Sequence, residues 1–334
     1  MMRLLIDDRW LGPTGIGRFA SEVIRRLQQR PDLEVIGVRS QWRLGDPLTP
    51  LRLQKEISRV KPDVFWSPSF MPPLAPKLPF IFTIHDLLHL RYHTRAHVAY
   101  YNLVIRPLAY RASKIITVSE FARTEIVNWL NIDPSRVVVA HNAVSRGFTA
   151  TGPRLQLDRP YILYIGNRRK HKNIKRLIKA FGISNLAKDF ALALNGPWDR
   201  SLFEFAKDIG VEDHIRFLGV IPEPDLPAVY RGATIFVYVS LYEGFGIPPL
   251  EAMACGVPVV TSNTTALPEV VDNAALLVDP ESEESIAIAM QRLATDEALS
   301  AELRRRGVER ARFFSWDRTA DIIWREISFA GRTP

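Results

Sequence analysis

Two glutamates and two glycines lie close together in the run Glu243-Gly-Phe-Gly-Ile-Pro-Pro-Leu-Glu251, which follows the apolar stretch Ile235–Val239. Gly244 and Gly246 allow a sharp turn and a close approach of the backbone to a ligand. The two prolines suit the first positions of a helix, where an amide hydrogen is dispensable. A glycine turn that opens onto a helix N-terminus offers free N–H groups and the positive end of the helix dipole. The segment therefore predicts an anion site, and a diphosphate fits it.

The two carboxylates in this run would repel a bound diphosphate if they pointed at it, so they are better used on hydroxyl groups. Glu251, placed by the pattern in the first helical turn, can accept hydrogen bonds from a ribose diol. Glu243, before the turn, can reach the hydroxyls of a second sugar. Together they describe a nucleoside-diphosphate-sugar. An ordinary helix start with acidic residues in its first turn is the alternative interpretation.

A cationic loop follows the apolar run Tyr161–Ile165 and contains Arg168, Arg169, Lys170 and Lys172. A leaving diphosphate carries charge that must be offset as the glycosidic bond breaks, and fixed cations can offset it. The loop is thus a candidate for phosphate binding, with a solvated run of charges as the alternative.

His85 and Asp86 end another apolar run, Phe80–Ile84. The carboxyl end of a parallel strand is where ligands bind in open α/β sheets. His85 is therefore a candidate site residue, although a structural histidine is the alternative. For Asp86, capping of a turn is an equal alternative.

The glycine-rich segment Gly15-Ile-Gly17-Arg18-Phe-Ala20 formally matches a dinucleotide-binding fingerprint. That interpretation requires an acidic residue at the end of the second strand, where Arg39 and Ser40 stand instead. NAD is therefore disfavoured, while Arg39 leaves an NADP phosphate open.

Apolar β-rich runs alternate with amphipathic helical runs along most of the chain, which predicts parallel sheets covered by helices. The pattern includes helices over 18–30 and 96–112. The Pro- and Gly-containing stretch 150–160 is the best linker candidate. We therefore expect two α/β domains, residues 1–153 and 154–315, with a C-terminal helix over 316–330.

The glutamate pair and its surroundings resemble the donor-site signature of the retaining glycosyltransferases of family 4, in which seven residues separate two glutamates. Glu243 and Glu251 match that spacing. The resemblance covers nearly the whole chain and leans towards bacterial mannosyltransferases of surface-polysaccharide assembly. It implies the GT-B architecture, in which two Rossmann-like domains face each other across a cleft. The N-terminal domain would be on the acceptor side, with the last helix packed back on it, and the C-terminal domain would hold the donor.

The resemblance also implies roles for individual residues. The implied catalytic residues are Glu243, His85 and Lys172, the last matching the family's phosphate-binding lysine. Many family members have an arginine where this chain has Asn167, so Arg168 is the expected substitute. The implied donor-binding set is Gly15, Gly17, Arg168, Lys172, Gly244, Phe245, Gly246, Ile247 and Glu251, with Arg18, Asp86, Val220, Asn263 and Thr264 as further candidates.

Charge is unevenly distributed along the 334 residues, whose net charge is +8. Residues 1–153 hold 21 Lys and Arg against 12 Asp and Glu, whereas the remainder is close to neutral. The basic half predicts an anionic partner such as a membrane surface or a diphosphate-linked acceptor, or else a merely solvated surface. Basic residues interleave with tyrosines between Arg91 and Lys114, which suits a membrane surface. No nucleic-acid recognition motif is present, so nucleic acid is the weakest candidate.

Cys255 is the single cysteine, so no internal disulfide can form, which fits a reducing cytoplasm. Asp7, Asp8 and Arg9 interrupt any signal-peptide core, and no apolar run is long enough to cross a bilayer. We expect a cytoplasmic protein, with the inner face of the cell membrane as a candidate place of action. No His and Asp cluster has metal-ligand spacing, so we expect neither metal nor cofactor.

The sequence favours a retaining glycosyltransferase that moves a hexose, with mannose from GDP-mannose as the first choice and UDP-sugars open. The acceptor would be a saccharide or a lipid-linked oligosaccharide. An NADP-dependent oxidoreductase and a non-catalytic nucleotide-sugar-binding protein are the alternatives. The oligomeric state is not predicted.

Overall fold

The computed structural model describes residues 1–38, 42–44 and 46–332. Arg39 and Ser40, considered above for a cofactor phosphate, lie outside the described residues. The chain forms two units, one of Met1–Asn142 with Ser315–Pro334 and one of Ala143–Phe314.

The first unit is built on a parallel sheet of six strands in the order β2-β1-β3-β4-β5-β6. Its strands are β1 (Met2–Ile6), β2 (Leu33–Gly37), β3 (Val64–Ser67), β4 (Phe80–Thr83), β5 (Lys114–Thr117) and β6 (Val137–Val139). β3 and β4 are buried at every position, because helices cover both faces of such a sheet. The order reverses direction between β1 and β3, which makes the carboxyl ends of these strands the expected ligand region.

The helices of the first unit connect these strands. They are α1 (Gly15–Leu27), α2 (Thr49–Val60), α3 (Leu88–Tyr92), α4 (Arg95–Tyr100), α5 (Arg106–Ala109) and α6 (Glu120–Leu130). α1 begins three residues earlier than the pattern predicts, because the Thr14 hydroxyl accepts a hydrogen bond from the Gly17 amide and caps the helix there.

The helical stretch predicted over 96–112 is present over residues 95–109, but its hydrogen bonding is not α-helical throughout. A π-helical turn, Tyr101–Ile105, separates α4 from α5. Pro107 lacks an amide hydrogen, so it cannot donate to the carbonyl four residues before it, and the regular helical bonding breaks at this point.

The second unit also contains a parallel six-stranded sheet, in the order β12-β11-β10-β7-β8-β9. Its strands are β7 (Tyr161–Tyr164), β8 (Ala191–Leu194), β9 (Ile215–Phe217), β10 (Ile235–Tyr238), β11 (Val259–Ser262) and β12 (Leu276–Val278). Counted within the unit and from the opposite edge, this is the Rossmann order 3-2-1-4-5-6. The order reverses between β7 and β10.

Seven helices among the described residues of the second unit accompany this sheet. They are α7 (Ile174–Ile183), α8 (Arg200–Ile209), α9 (Leu226–Gly232), α10 (Ile247–Ala254), α11 (Leu267–Val271), α12 (Glu283–Thr295) and α13 (Glu297–Phe313). α10 ends as its sequence predicts: Gly256 has φ 69°, and the amides of Gly256 and Val257 donate to the carbonyls of Met253 and Ala252.

The boundary between the units lies at residue 142 rather than at 153. Residues 143–153 belong to the second unit because Arg231 donates to the carbonyls of Thr149 and Pro153. The amide of Leu155 donates to the carbonyl of Ala228 in the same region. The Pro- and Gly-containing stretch is therefore bound to the second unit along much of its length.

The C-terminal helix α14 (Trp316–Ala330) is part of the first unit. Trp316 is 4% exposed and its ring meets that of Phe19 edge to face at 6.2 Å. Asp317 pairs with Arg26 at 2.5 Å. Ile323 and Ile327 are fully buried, so the helix contributes core residues to the unit.

Ile323→Ala should lower the free energy of unfolding by about 2–5 kcal/mol, because it opens a cavity in a closed core. Ile288→Ala on α12 is the matched control: Ile288 is 56% exposed, and its removal should cost about 0.5 kcal/mol or less. Urea denaturation followed by circular dichroism measures both. Equal losses in the two variants would show that α14 is not part of the core.

Candidate functional site

The central strands β7 and β10 bring the cationic loop and the glycine turn together. The two strands are hydrogen-bonded neighbours and run parallel, so the loops that follow them leave at the same edge of the sheet. After β7 the next strands in sequence, β8 and β9, lie on one side of it, whereas β10, β11 and β12 lie on the other. The strand order therefore reverses between β7 and β10. Ligands bind there in sheets of this type.

Lys172 and Glu243 meet at this edge although they are 71 positions apart in the sequence. Lys172 Nζ lies 2.6 Å from Glu243 Oε1 and donates to the Tyr238 hydroxyl at 2.7 Å. The Tyr238 hydroxyl in turn donates to Glu243 Oε1 at 2.9 Å. The lysine and the carboxylate are mostly buried, with 10% and 13% of their side chains exposed. A cation, a carboxylate and a hydroxyl thus share one closed hydrogen-bonding group.

Tyr238 stays protonated in this group. Burial raises the pKa of its hydroxyl well above 10, and the Glu243 carboxylate and Tyr164 raise it further. Its ring stacks on those of Tyr164 and Phe236, at 6.0 and 6.1 Å between centroids. The hydroxyl is therefore a fixed donor for Glu243.

Backbone contacts fix the two loops to each other. The carbonyl of His171 accepts hydrogen bonds from the Leu241 amide at 2.8 Å and the Ser240 hydroxyl at 3.0 Å. The Asn173 side chain donates to the carbonyls of Val239 and Pro280 at 3.0 and 2.7 Å. The positions of Lys172 and Glu243 are therefore set by rigid backbone rather than by their own contact alone.

Thr265 holds the backbone of Glu243 from the next loop. The Glu243 amide donates to its hydroxyl at 3.3 Å, and the Ala266 amide donates to the Glu243 carbonyl at 3.4 Å. Thr265 has φ 60°, a conformation that non-glycine residues adopt rarely. Of the sequence candidates in this loop, Asn263 and Thr264 are exposed.

The glycine turn leads directly into α10. Gly246 precedes the helix with φ 115°, and a Cβ atom there would lie 2.6 Å from Leu267. Of the first three helical residues only Ile247 carries an amide hydrogen, since the next two are prolines. Phe245 is buried against Phe314 at 5.5 Å. Donors for an anion must therefore come from the turn and the first helical residue.

Glu251 lies elsewhere on α10 than the pattern predicts. The helix starts at Ile247, so Glu251 is its fifth residue and belongs to the second turn, not the first. It is 2% exposed and accepts a hydrogen bond from the Tyr230 hydroxyl at 2.9 Å. A buried tyrosine thus orients this carboxylate.

Arg168 is turned towards β8 and β9. It pairs with Asp199 at 3.1 Å, donates to the Asn195 carbonyl at 3.1 Å and lies over the Phe217 ring. The structure therefore brings Lys172, but not Arg168, to Glu243.

Val220, the remaining candidate of this unit, is 85% exposed beside the bridge between Gly196 and Gly219.

The candidates of the first unit follow β1 and β4. Gly15, Gly17 and Arg18 begin α1, and a Cβ atom on Gly17 would lie 2.1 Å from the Gly12 carbonyl oxygen. The glycine is thus required by close backbone packing. The Asp86 carboxylate accepts a hydrogen bond from the Leu88 amide at 2.9 Å, which is a turn-capping contact.

His85 is held neutral. Burial lowers the pKa of its imidazole from 6.5 to about 4, against a smaller opposite effect of the Pro68 carbonyl. Nε2 lies 2.9 Å from that carbonyl, so it is the protonated nitrogen, and Phe19 packs edge to face at 4.9 Å. Nδ1 therefore carries a lone pair at neutral pH.

Tyr238 is the site residue that sequence reasoning missed. It lies within an apolar strand pattern, which indicates core packing, and only its place at the carboxyl end of the strand could have indicated a role in the site. No three His, Cys, Asp or Glu side chains in the described ranges could hold a metal ion, and the absence of a metal stays a prediction. Among the same residues, no helix is both long and apolar enough to span a membrane.

Comparison with known proteins identifies both halves of the chain. Residues 13–147 match the Glycosyltransferase Family 4 model, and residues 150–312 match the Glycosyl transferases group 1 model. The O-antigen chain mannosyltransferase B of Escherichia coli is 36% identical over 252 residues, which cover 70% of this chain and 66% of that protein. The chain thus spans slightly less than two thirds of this relative.

Solved structures share the fold. A sucrose-phosphate synthase from Thermosynechococcus elongatus superposes with a TM-score of 0.79 at 18% identity, covering 99% of this chain and 100% of the other. Anabaena HepE in complex with UDP-glucose gives 0.76 at 19% identity, covering 98% and 100%. Two parallel six-stranded sheets and these matches make the chain a member of the family 4 glycosyltransferases with the GT-B fold.

Proposed function

We propose that the protein is a retaining mannosyltransferase that uses GDP-mannose and extends a saccharide or lipid-linked oligosaccharide in O-antigen-type biosynthesis. The observation that carries the site is the contact of Lys172 with Glu243 and Tyr238 at the reversal point of the second sheet. The relatedness to an O-antigen mannosyltransferase supports the sugar, and a UDP-sugar is the alternative donor.

The chemistry proposed for the donor follows from this geometry. Diphosphate oxygens would accept from the amides of the turn at Phe245–Ile247 and compete with Glu243 for Lys172. Tyr238 would keep its bond to Glu243 while the lysine moves, so the carboxylate stays oriented towards the sugar hydroxyls. Lys172 would then offset charge on the leaving diphosphate, and no metal is required for this step. Glu251 would accept from the ribose.

The configuration at the anomeric carbon would be retained because the diphosphate leaves and the acceptor hydroxyl attacks on the same face of the sugar. Retaining glycosidases use two carboxylates about 5–5.5 Å apart. In the described group at β7 and β10, Glu243 is joined to a lysine and a tyrosine instead. The first unit would contribute His85, whose neutral imidazole offers a lone pair and no charge that would oppose a cationic sugar.

Glu243→Ala and Lys172→Ala should each lower turnover roughly 10²- to 10³-fold, because each acts on charge that develops in the transition state. Release of GDP from GDP-mannose in the presence of a mannan-type acceptor is the measurement. Lys188→Ala, on an exposed lysine of the same unit, is the matched control and should keep wild-type turnover. Near-wild-type rates in both site variants would remove the site assignment.

A thermal-shift screen separates the donors and the alternative functions. A ligand at about one hundred times its Kd adds about 2.7 kcal/mol to the free energy of unfolding. GDP-mannose should give the largest shift among GDP, UDP and ADP sugars. Binding without GDP release would support a non-catalytic protein, and a response to NADPH alone would support the oxidoreductase.

His85 makes stability depend on pH. Because the folded chain holds this imidazole neutral down to about pH 4, protons bind preferentially to the unfolded chain below 6.5, and stability falls as pH drops through that window. Between about pH 7 and pH 5, wild type should lose about 1–2 kcal/mol more than His85→Gln in urea denaturation. Parallel losses in the two proteins would contradict the neutral state of His85.

We also propose a peripheral contact of the first unit with anionic membranes at the inner face of the cell membrane. Arg91, Tyr92 and Arg95 are exposed, and Leu103 is 76% exposed. Tyr101, by contrast, is a core residue at 2% exposure. Exposed cations beside apolar side chains suit a lipid surface.

Arg91→Ala combined with Arg95→Ala should weaken sedimentation with phosphatidylcholine–phosphatidylglycerol vesicles roughly tenfold or more. Arg304→Ala combined with Arg312→Ala, on exposed positions of α13, is the control for net charge. Vesicles of phosphatidylcholine alone, which carry no net charge, should bind wild type and both double variants only weakly. Equal effects of the two double variants would mean that only net charge matters.

A further inference from the structure

A row of rings extends from the core of the first unit towards solvent. It consists of Trp10, Phe70, His89, His93 and His97, and we call it the aromatic row. Successive centroids lie 5.5, 5.1, 4.4 and 5.0 Å apart. The four inner rings are half-buried and His97 is exposed, whereas core aromatic residues such as Phe65 and Phe82 are fully buried.

The row starts at the reversal point of the first sheet. Trp10 follows β1, and Phe70 follows β3, the two strands between which the order changes direction. The three histidines are spaced four residues apart on α3, α4 and the bend between them. The row thus occupies the region of this sheet where a ligand is expected.

Two buried polar atoms, one in the row itself and one in the residue before Phe70, have no hydrogen-bond partner in the part of the chain that the structure describes. They are Trp10 Nε1 and the hydroxyl of Ser69, a residue with 0% exposure next to Phe70. Buried polar atoms without partners are uncommon and costly in native proteins. A ligand rich in hydroxyl groups would satisfy both.

The histidines at the far end are oriented by neighbours. His89 Nδ1 lies 3.0 Å from the Tyr101 hydroxyl, and its ring stacks on that tyrosine at 5.1 Å. His97 Nδ1 lies 2.8 Å from the Thr94 hydroxyl. These contacts fix the ring planes, so the row offers aromatic faces with polar edges at defined positions.

We infer that Trp10, Ser69, Phe70 and the three histidines form a subsite for the acceptor saccharide. A pyranose presents apolar C–H groups on its faces and hydroxyls at its edge, and half-exposed rings with a few fixed polar atoms complement both. Several rings in sequence fit an oligosaccharide better than a single sugar. The subsite rests on the proposed function, because it assigns the second substrate of that reaction.

Saturation-transfer NMR with mannotriose, maltotriose and galactobiose tests the subsite on the full chain. Wild type should bind at least one of them. His93→Ala should weaken that binding about three- to tenfold by loss of a ring contact. Trp10→Phe, which keeps a ring but deletes Nε1–H, should weaken it by a similar factor. Trp198→Ala, on an exposed tryptophan of the second unit, should bind as wild type does.

A thermal shift with GDP-mannose, measured on the same samples, separates the two hypotheses and reports folding. The subsite is supported if GDP-mannose still raises the melting temperature of the row variants while their saccharide binding falls. Unchanged saccharide binding in both row variants, or no binding of any probe to wild type, overturns it and leaves the donor site standing. If no sugar nucleotide raises the melting temperature of wild type, the proposed function is overturned instead.

Discussion

The contact of Lys172 with Glu243 is the constraint on which the rest of the second unit depends. Removing two charges from water costs several kcal/mol per ion unless hydrogen bonds and a partner charge compensate. Tyr238 supplies the third member, and its protonated hydroxyl bonds to both charged groups. A lysine paired in this way can change partners. When an anion takes the lysine, the carboxylate keeps a donor, so recognition of a diphosphate need not leave a buried charge alone.

The proposed exchange of partners by Lys172 requires a backbone that holds its shape while the lysine moves. The carbonyl of His171 and the side chain of Asn173 bind the loop after β7 to the loop after β10, and Thr265 binds the latter to the loop after β11. Three adjacent parallel strands thus each contribute a loop to one group. A site supported by strand ends and cross-loop hydrogen bonds is more rigid than one carried on a single loop.

Local signals in the sequence were sufficient for much of this picture. The two parallel sheets follow from the alternation of apolar and amphipathic runs, and the resemblance implied that Lys172 and Glu243 act in one site. Contacts decided by tertiary packing were not accessible. Arg168 has the same charge as Lys172, and its contacts with Asp199, the Asn195 carbonyl and the Phe217 ring hold it away from Glu243. Glu251 was expected in the first helical turn because the two prolines suit the first helical positions, but the helix begins at Ile247, before both prolines. Tyr238 was not predicted because an apolar strand pattern cannot distinguish a ring that only packs in the core from one whose hydroxyl also bonds to site residues.

The two units apply one topological rule to different chemistry. In each sheet the strand order reverses beside the first strand, and the side chains at that point differ between the units. In the second unit they are charged, which suits a diphosphate. In the first unit they are rings and unpaired polar atoms, which suit a neutral saccharide. The exposed cations Arg91 and Arg95 lie on α3 and α4, where they alternate along the chain with the histidines of the row. One segment of the first unit would therefore serve both proposed roles with different side chains, its rings for a sugar and its cations for an anionic surface, so each role could be changed by its own substitutions.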